Sequence, residues 1–147
     1  MITWSRRQQY EAVHSAGGCV VQAHPFRARS YNHTIYLSPY LCDAVEIYNS
    51  GNEPKWNVLT GKYAEKMGLP VTAGSDQHGS TKDLAGVVFD KPWRSIADYV
   101  KAIRERKKFG LHIPGYKNKL GEDITLDLPC KWVDGDGVVR PVTRSLW

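Results

Sequence analysis

The sequence predicts an α/β fold built from parallel βα units. Three observations carry that expectation: apolar segments of strand length alternate with segments of helical period, glycine and turn-forming residues mark the boundaries, and the alternation runs through most of the chain. Ser5 with Gln8 reads as a capping box opening a helix on which Tyr10, Val13 and Ala16 are spaced helically, and Gly17-Gly18 stops it. Cys19 to Ala23 reads as a strand ending at His24-Pro25, where the residue before proline is expected to be extended. Phe26 to Tyr40 reads as a long loop, and Asp43 to Tyr48 as a second strand followed by turn residues Asn49-Ser50-Gly51-Asn52. A helix with Trp56, Leu59, Tyr63 and Met67 on one stripe should end at Gly68 and lead into a strand over Pro70 to Gly74. Ala85 to Phe89 reads as a fourth strand. Ser95 with Asp98 reads as a second capping box, opening a helix whose apolar face is Ile96, Tyr99, Val100 and Ile103. Ile124 to Val133 and Val138 to Val142 read as a hairpin about Asp134-Gly135-Asp136-Gly137. The division expected is 1–111 for the βα portion and 112–147 for a hairpin extension packed on it.

With 147 residues, 41% apolar and 24% charged, the chain has the size and composition of one globular domain. No apolar run is long enough to cross a bilayer, and no signal-peptide core follows the basic start, so a cytoplasmic location is expected. Cys19, Cys42 and Cys130 are odd in number and widely spaced, which argues against a disulfide framework, and no C-x-x-C pair suggests a zinc–thiolate site. Cys19 is expected to be a buried thiol. A net charge of +5 suits an anionic ligand, a phosphate ester or nucleic acid, although Arg104, Arg106, Lys107 and Lys108 also fit a solvated helix end.

Two predicted strands end in residues that can ligate metal: His24 after Val20-Val21, and Asp76 with His78 after Val71-Thr72. The C-terminal ends of parallel strands converge on the ligand site, so these distant residues are expected to meet. Imidazole and carboxylate together suit zinc, manganese or iron.

The run Gly18-Cys19-Val20-Val21-Gln22-Ala23-His24-Pro25-Phe26-Arg27 resembles a late motif of the PHP (polymerase and histidinol phosphatase) family. Asp43 to Asn49 resembles that family's next strand, and Gly74-Ser75-Asp76-Gln77-His78 is similar to its last metal motif. The resemblance covers roughly residues 10 to 108. It implies a distorted βα barrel that hydrolyses phosphate esters with a cluster of divalent metals, in which His24, Asp76 and His78 are ligands to different metals of the cluster. By the same resemblance Arg27 either holds a substrate phosphate or is a solvent-exposed loop arginine. Glu46 either points into the pocket or is a buried carboxylate paired with a base, and Asn49 has a turn role or lines the pocket.

PHP enzymes open on a His-x-His motif, and no His-x-His occurs in this chain. Neither His14, His33 nor His112 replaces it; His33, in the long loop, could swing toward the site. The resemblance is therefore to the second half of the fold, a partial barrel with a C-terminal hairpin. Its metal cluster would be incomplete within one chain, and its uncovered sheet edge invites a homo-oligomer or a complementing N-terminal half. The competing expectations are a non-catalytic remnant acting as a binding or assembly module, and a nucleic-acid-binding or nuclease-related module.

Overall fold

A computed structural model describes residues 3–79, 84–114 and 126–142. These form a mixed α/β fold of three helices and three small sheets, none of them closed. The first helix, α1 (Arg6–Ser15), opens on a formed capping box: the Gln8 amide donates to Ser5 Oγ at 3.2 Å and the Ser5 amide to Gln8 Oε1 at 2.8 Å. It ends where Gly17 takes φ +80, the left-handed region that glycine enters without steric cost.

The first sheet holds β1 (Val21–Gln22), β3 (Ala44–Asn49) and β4 (Val71–Gly74), all parallel, in the order β1-β3-β4. Parallel neighbours need a crossover between them, and α2 (Pro54–Met67) supplies it from β3 to β4. Pro54 stands in its first turn, where the missing N–H costs nothing, and Gly68 at φ +60 closes it. Its buried stripe, Trp56, Leu59, Tyr63 and Ala64, joins Phe26, Leu37, Val45 and Leu69 in one core. Phe26 and Tyr63, both fully buried, meet edge to face with centroids 6.0 Å apart.

At the N-terminal end of this sheet Asp43 ties three segments together. Its carboxylate accepts from the Val20 amide at 2.7 Å and meets His14 Nε2 at 2.8 Å, anchoring α1 to the start of β1 and β3. The second sheet is β2 (Ile35–Leu37), β7 (Cys130–Val133) and β8 (Val139–Pro141). β2 runs parallel to β7, and β7 pairs antiparallel with β8 about the expected turn, where Asp134 Oδ1 accepts the Asp136 and Val138 amides at 3.0 and 2.9 Å. The third is an antiparallel pair, β5 (Gly86–Val88) with β6 (Gly110–His112), on either side of α3 (Ile96–Arg104).

Several expectations change. The segment read as a loop from Phe26 to Tyr40 contains β2, whose Ile35 and Leu37 are buried while Tyr36 between them is exposed. Only three residues long, this alternation is too short to register as a strand signal. The capping box at Ser95 does not form. The Ser95 side chain makes no cap hydrogen bond, and Asp98 accepts from the Arg94 amide at 2.9 Å instead. Ile96, expected on the apolar face of α3, is 77% exposed, and Ala102 takes a buried place beside Ile103. Cys19 is half-buried rather than buried, and β6, with His112, was not anticipated. The beginning of the strand expected from Ile124 lies outside the described residues. No helix among the described residues is long and apolar enough to cross a membrane.

Because α2 is held by core packing, Leu59→Ala should lower the unfolding free energy by about 2–5 kcal/mol. Glu65→Ala, on the exposed side of the same helix, should change it by no more than about 0.5 kcal/mol. Urea denaturation of the two variants checks this; equal effects would mean that α2 does not dock as described.

Candidate functional site

The parallel course of β1, β3 and β4 places their C-terminal ends along one edge. His24 follows β1, Asn49 ends β3 with Gly51 and Asn52 just beyond, and Asp76 and His78 follow β4. The chain turns sharply at two of these exits: His24 has φ +32 and Asp76 φ +51, values uncommon for residues with a side chain. The extended geometry expected of His24 ahead of Pro25 is not what forms. Its amide turns to donate to Glu46 Oε2 at 3.0 Å, and its carbonyl accepts the Arg27 amide at 3.1 Å, so two hydrogen bonds hold the residue in a turn. Two left-handed residues at the exits of the sheet's two outer strands are backbone strain of the kind that collects at functional sites.

Between these exits lies a side-chain network centred on Arg27. Its Nε donates to Asn52 Oδ1 at 2.6 Å, its Nη2 to Asn49 Oδ1 at 2.5 Å, and its Nη1 forms an ion pair with Asp76 Oδ2. Asn49 Nδ2 donates onward to Glu46 Oε2 at 3.0 Å, the oxygen that also holds the His24 amide. Asn57 on α2 completes the frame, its Oδ1 accepting from the Asn49 amide at 3.1 Å and from Asn52 Nδ2 at 2.8 Å. One continuous chain of hydrogen bonds thus joins the exit of β1 to the exit of β4 through the end of β3.

Backbone without side chains makes room for it. A Cβ on Gly74 would lie 2.3 Å from Glu46 Oε1, and a Cβ on Gly51 would lie 3.2 Å from both Asn49 Oδ1 and Asp76 Oδ2.

The placements of the expected site residues follow. The Arg27 side chain is only 8% exposed, and each of its guanidinium nitrogens already meets a side-chain oxygen. Any contact with a phosphate would have to use its remaining N–H bonds. Glu46 is half-buried and receives hydrogen-bond donors rather than a paired base. Asn49 is 1% exposed and does the work of a turn and a strut together. Asp76 Oδ1 stands 3.2 Å from His78 Nε2, whose side chain is 85% exposed. The Arg27 hydrogen bond holds the Asp76 carboxyl below its ordinary value, helped by His78 and by the field of His24. Among the described residues no three His, Cys, Asp or Glu side chains are grouped so as to hold a metal ion.

Beside the network opens a cleft of about 690 Å³ whose lining includes His24, Arg27, Arg29, Tyr31, His33 and Arg6. Asn52 and Asn57 were not singled out from the sequence. The available signal was a polar residue, Asn57, next to Trp56 on the buried side of α2, where burial demands hydrogen-bond partners.

Replacing Arg27 by methionine leaves Asp76 without its cation, Asn52 Oδ1 without its donor and Asn49 Oδ1 with the Gly51 amide at 2.9 Å, and should cost about 2–4 kcal/mol of stability. Asp76 adds a pH dependence of definite sign. A carboxyl depressed on folding contributes stability that is whole above its ordinary 3.8 and is lost as pH falls through the lower folded value. Stability of the parent chain should therefore drop more steeply below pH 3.8 than that of Asp76→Asn. Parallel slopes in acid would show that the Arg27–Asp76 pair contributes nothing.

Residues 54–107 match the family model described as PHP-associated. No curated protein and no solved structure was found to match the chain. The matched segment starts at the first residue of α2, takes in Asp76 and His78, and ends just past α3. From α2 through α3 the chain carries a PHP-associated segment, as expected of the C-terminal region of a PHP-family protein.

Proposed function

We propose that this chain forms part of a PHP-like metal-dependent phosphoesterase centre, to which it contributes His24, Asp76 and His78. The observation that supports this most is the convergence of three parallel-strand exits on one network. That network holds Asp76 by one oxygen and leaves the other beside His78. In this reading the β1-β3-β4 sheet with its α2 crossover is the portion of a distorted βα barrel that carries the late metal motifs.

The donor set has the right chemistry for zinc, manganese or iron, imidazole nitrogen with carboxylate oxygen. Its grouping is insufficient, since among the described residues no three His, Cys, Asp or Glu side chains stand together so as to hold a metal ion. A divalent metal, when bound, would polarise a phosphoryl oxygen and acidify a water. The part of this chain is to fix Asp76 through Arg27, to turn His24 toward the same edge, and to present a cationic cleft. The remaining ligands would come from another polypeptide segment or from a second copy meeting the outer edge of β1.

The same shortfall supports a second reading, in which the chain binds or assembles without catalysing. Equilibrium dialysis against Mn²⁺ or Zn²⁺, with hydrolysis of a chromogenic phosphate ester followed in parallel, separates the two. The phosphoesterase reading predicts retained metal and measurable hydrolysis, with binding weakened about tenfold or more in Asp76→Ala and in His78→Ala. A chain that retains no metal and hydrolyses nothing leaves the assembly reading. Completion by a second copy further predicts a mass above 16.6 kDa by light scattering at micromolar concentration.

A further inference from the structure

The phosphoesterase reading leaves the basic run Arg106-Lys107-Lys108, just past α3, without a role. It stands beside Leu69, Pro70 and Val71, where β4 begins, at the end of the sheet opposite His24 and Asp76. Its backbone is fixed. The Arg106 amide donates to the Ile103 carbonyl at 3.0 Å and the Lys107 amide to the Ala102 carbonyl at 2.9 Å, closing α3. Arg106 takes φ +53, a position that helix ends commonly give to glycine. Its Nη1 reaches the Gly68 carbonyl at 3.0 Å and so ties the end of α3 to the end of α2.

Two hollows adjoin there. One, of about 500 Å³, is lined by Leu69, Pro70, Val71 and Phe109. The other, of about 270 Å³, is lined by Phe89, Trp93 and Phe109. Lys107 and Lys108 line both, so the same cations serve two apolar recesses. Lys107 meets Glu105 at 3.0 Å, and Asp90 lines the smaller hollow. Lys91, Arg106 and Lys108 have no acidic partner among the described residues.

We propose that this groove docks an extended acidic segment of a partner protein, with one apolar side chain in each hollow and carboxylates between them against Lys107 and Lys108. Charge complementarity sets the sign of the segment, and the paired recesses set its pattern. Recesses receive single side chains, whereas a bilayer is met by a continuous apolar face. Phe89, Trp93, Tyr99 and Phe109 pack on one another, so they form a wall rather than free faces on which bases could stack. Docking at this end of the sheet requires no catalysis at the other.

The probe is a blocked heptapeptide, serine-leucine-glutamate-aspartate-glutamate-phenylalanine-serine, titrated into the ¹⁵N-labelled full chain. The amide resonances of Leu69, Val71, Lys108 and Phe109 and the Trp93 indole should shift, while the amides of Asn49, Asp76 and His78 stay in place. Replacing both apolar residues of the peptide by serine should weaken binding about tenfold or more. Replacing its acids by the corresponding amides should weaken it about fivefold or more. Lys107→Glu combined with Lys108→Glu should weaken it about tenfold. Both lysines are exposed, so the double variant should keep the fold, which circular dichroism verifies; the peptide replacements decide the question on the parent chain in any case. No shift at the groove, a peptide that binds equally well without its apolar residues or without its acids, or a folded double variant that binds like the parent would overturn the proposal. So would phosphatidylserine vesicles or oligothymidylate that displace the peptide from the groove at a lower concentration than the peptide needs to bind.

Discussion

The Arg27 guanidinium is the hub on which the site depends. A buried cation is costly unless every donor finds an acceptor and its charge finds a counter-charge, and the surrounding chain is arranged to meet both demands. Asn49, Asn52 and Asp76 come from two different strand exits, and Arg27 itself comes from the turn after a third. Satisfying one side chain therefore fixes the relative position of three segments. Glu46 extends the constraint to the His24 backbone, and Asn57 extends it to α2. The network lies against the main chain, so that a methyl group at Gly74 would collide with Glu46 and one at Gly51 would crowd Asn49, Asp76 and Arg27.

The opposite end of the same sheet is held by simpler means. There Asp43 pins α1 to the strand starts through His14 and the Val20 amide, while the middle is apolar packing between α2 and the sheet. This is a common division in parallel α/β structures, in which one end supplies rigidity and the other displays polar side chains. It also explains why the two strained residues lie at the same end. The frame supports φ values that an isolated turn would not hold.

Much of this was legible in the sequence, for identifiable reasons. The helix over Pro54–Met67 declared itself through a full stripe of large apolar residues and a closing glycine, and the central strands through β-branched runs ending at polar residues. β2 and β6 were missed because each is three residues long and owes its existence to a partner distant in sequence. The capping box at Ser95 failed because the Arg94 amide claims the Asp98 carboxylate. At the site, residue type and strand position pointed to His24, Asp76 and His78, but no periodicity reveals which acceptor a buried arginine will choose. Arg27 read from its motif as either a phosphate holder or a solvent-exposed loop arginine; it is buried and grips Asp76, which rules out the exposed alternative.

The account comes down to whether His24 and His78, 54 positions apart, face one another's ligand across a shared edge. Imidazole nitrogen NMR of the ¹⁵N-labelled chain during titration with Zn²⁺ addresses this directly, because each of the five histidines reports separately. The account predicts that the His24 and His78 resonances both move on addition of metal while those of His14 and His112 stay in place. Movement of His78 alone, or a response spread evenly over all five, would contradict it.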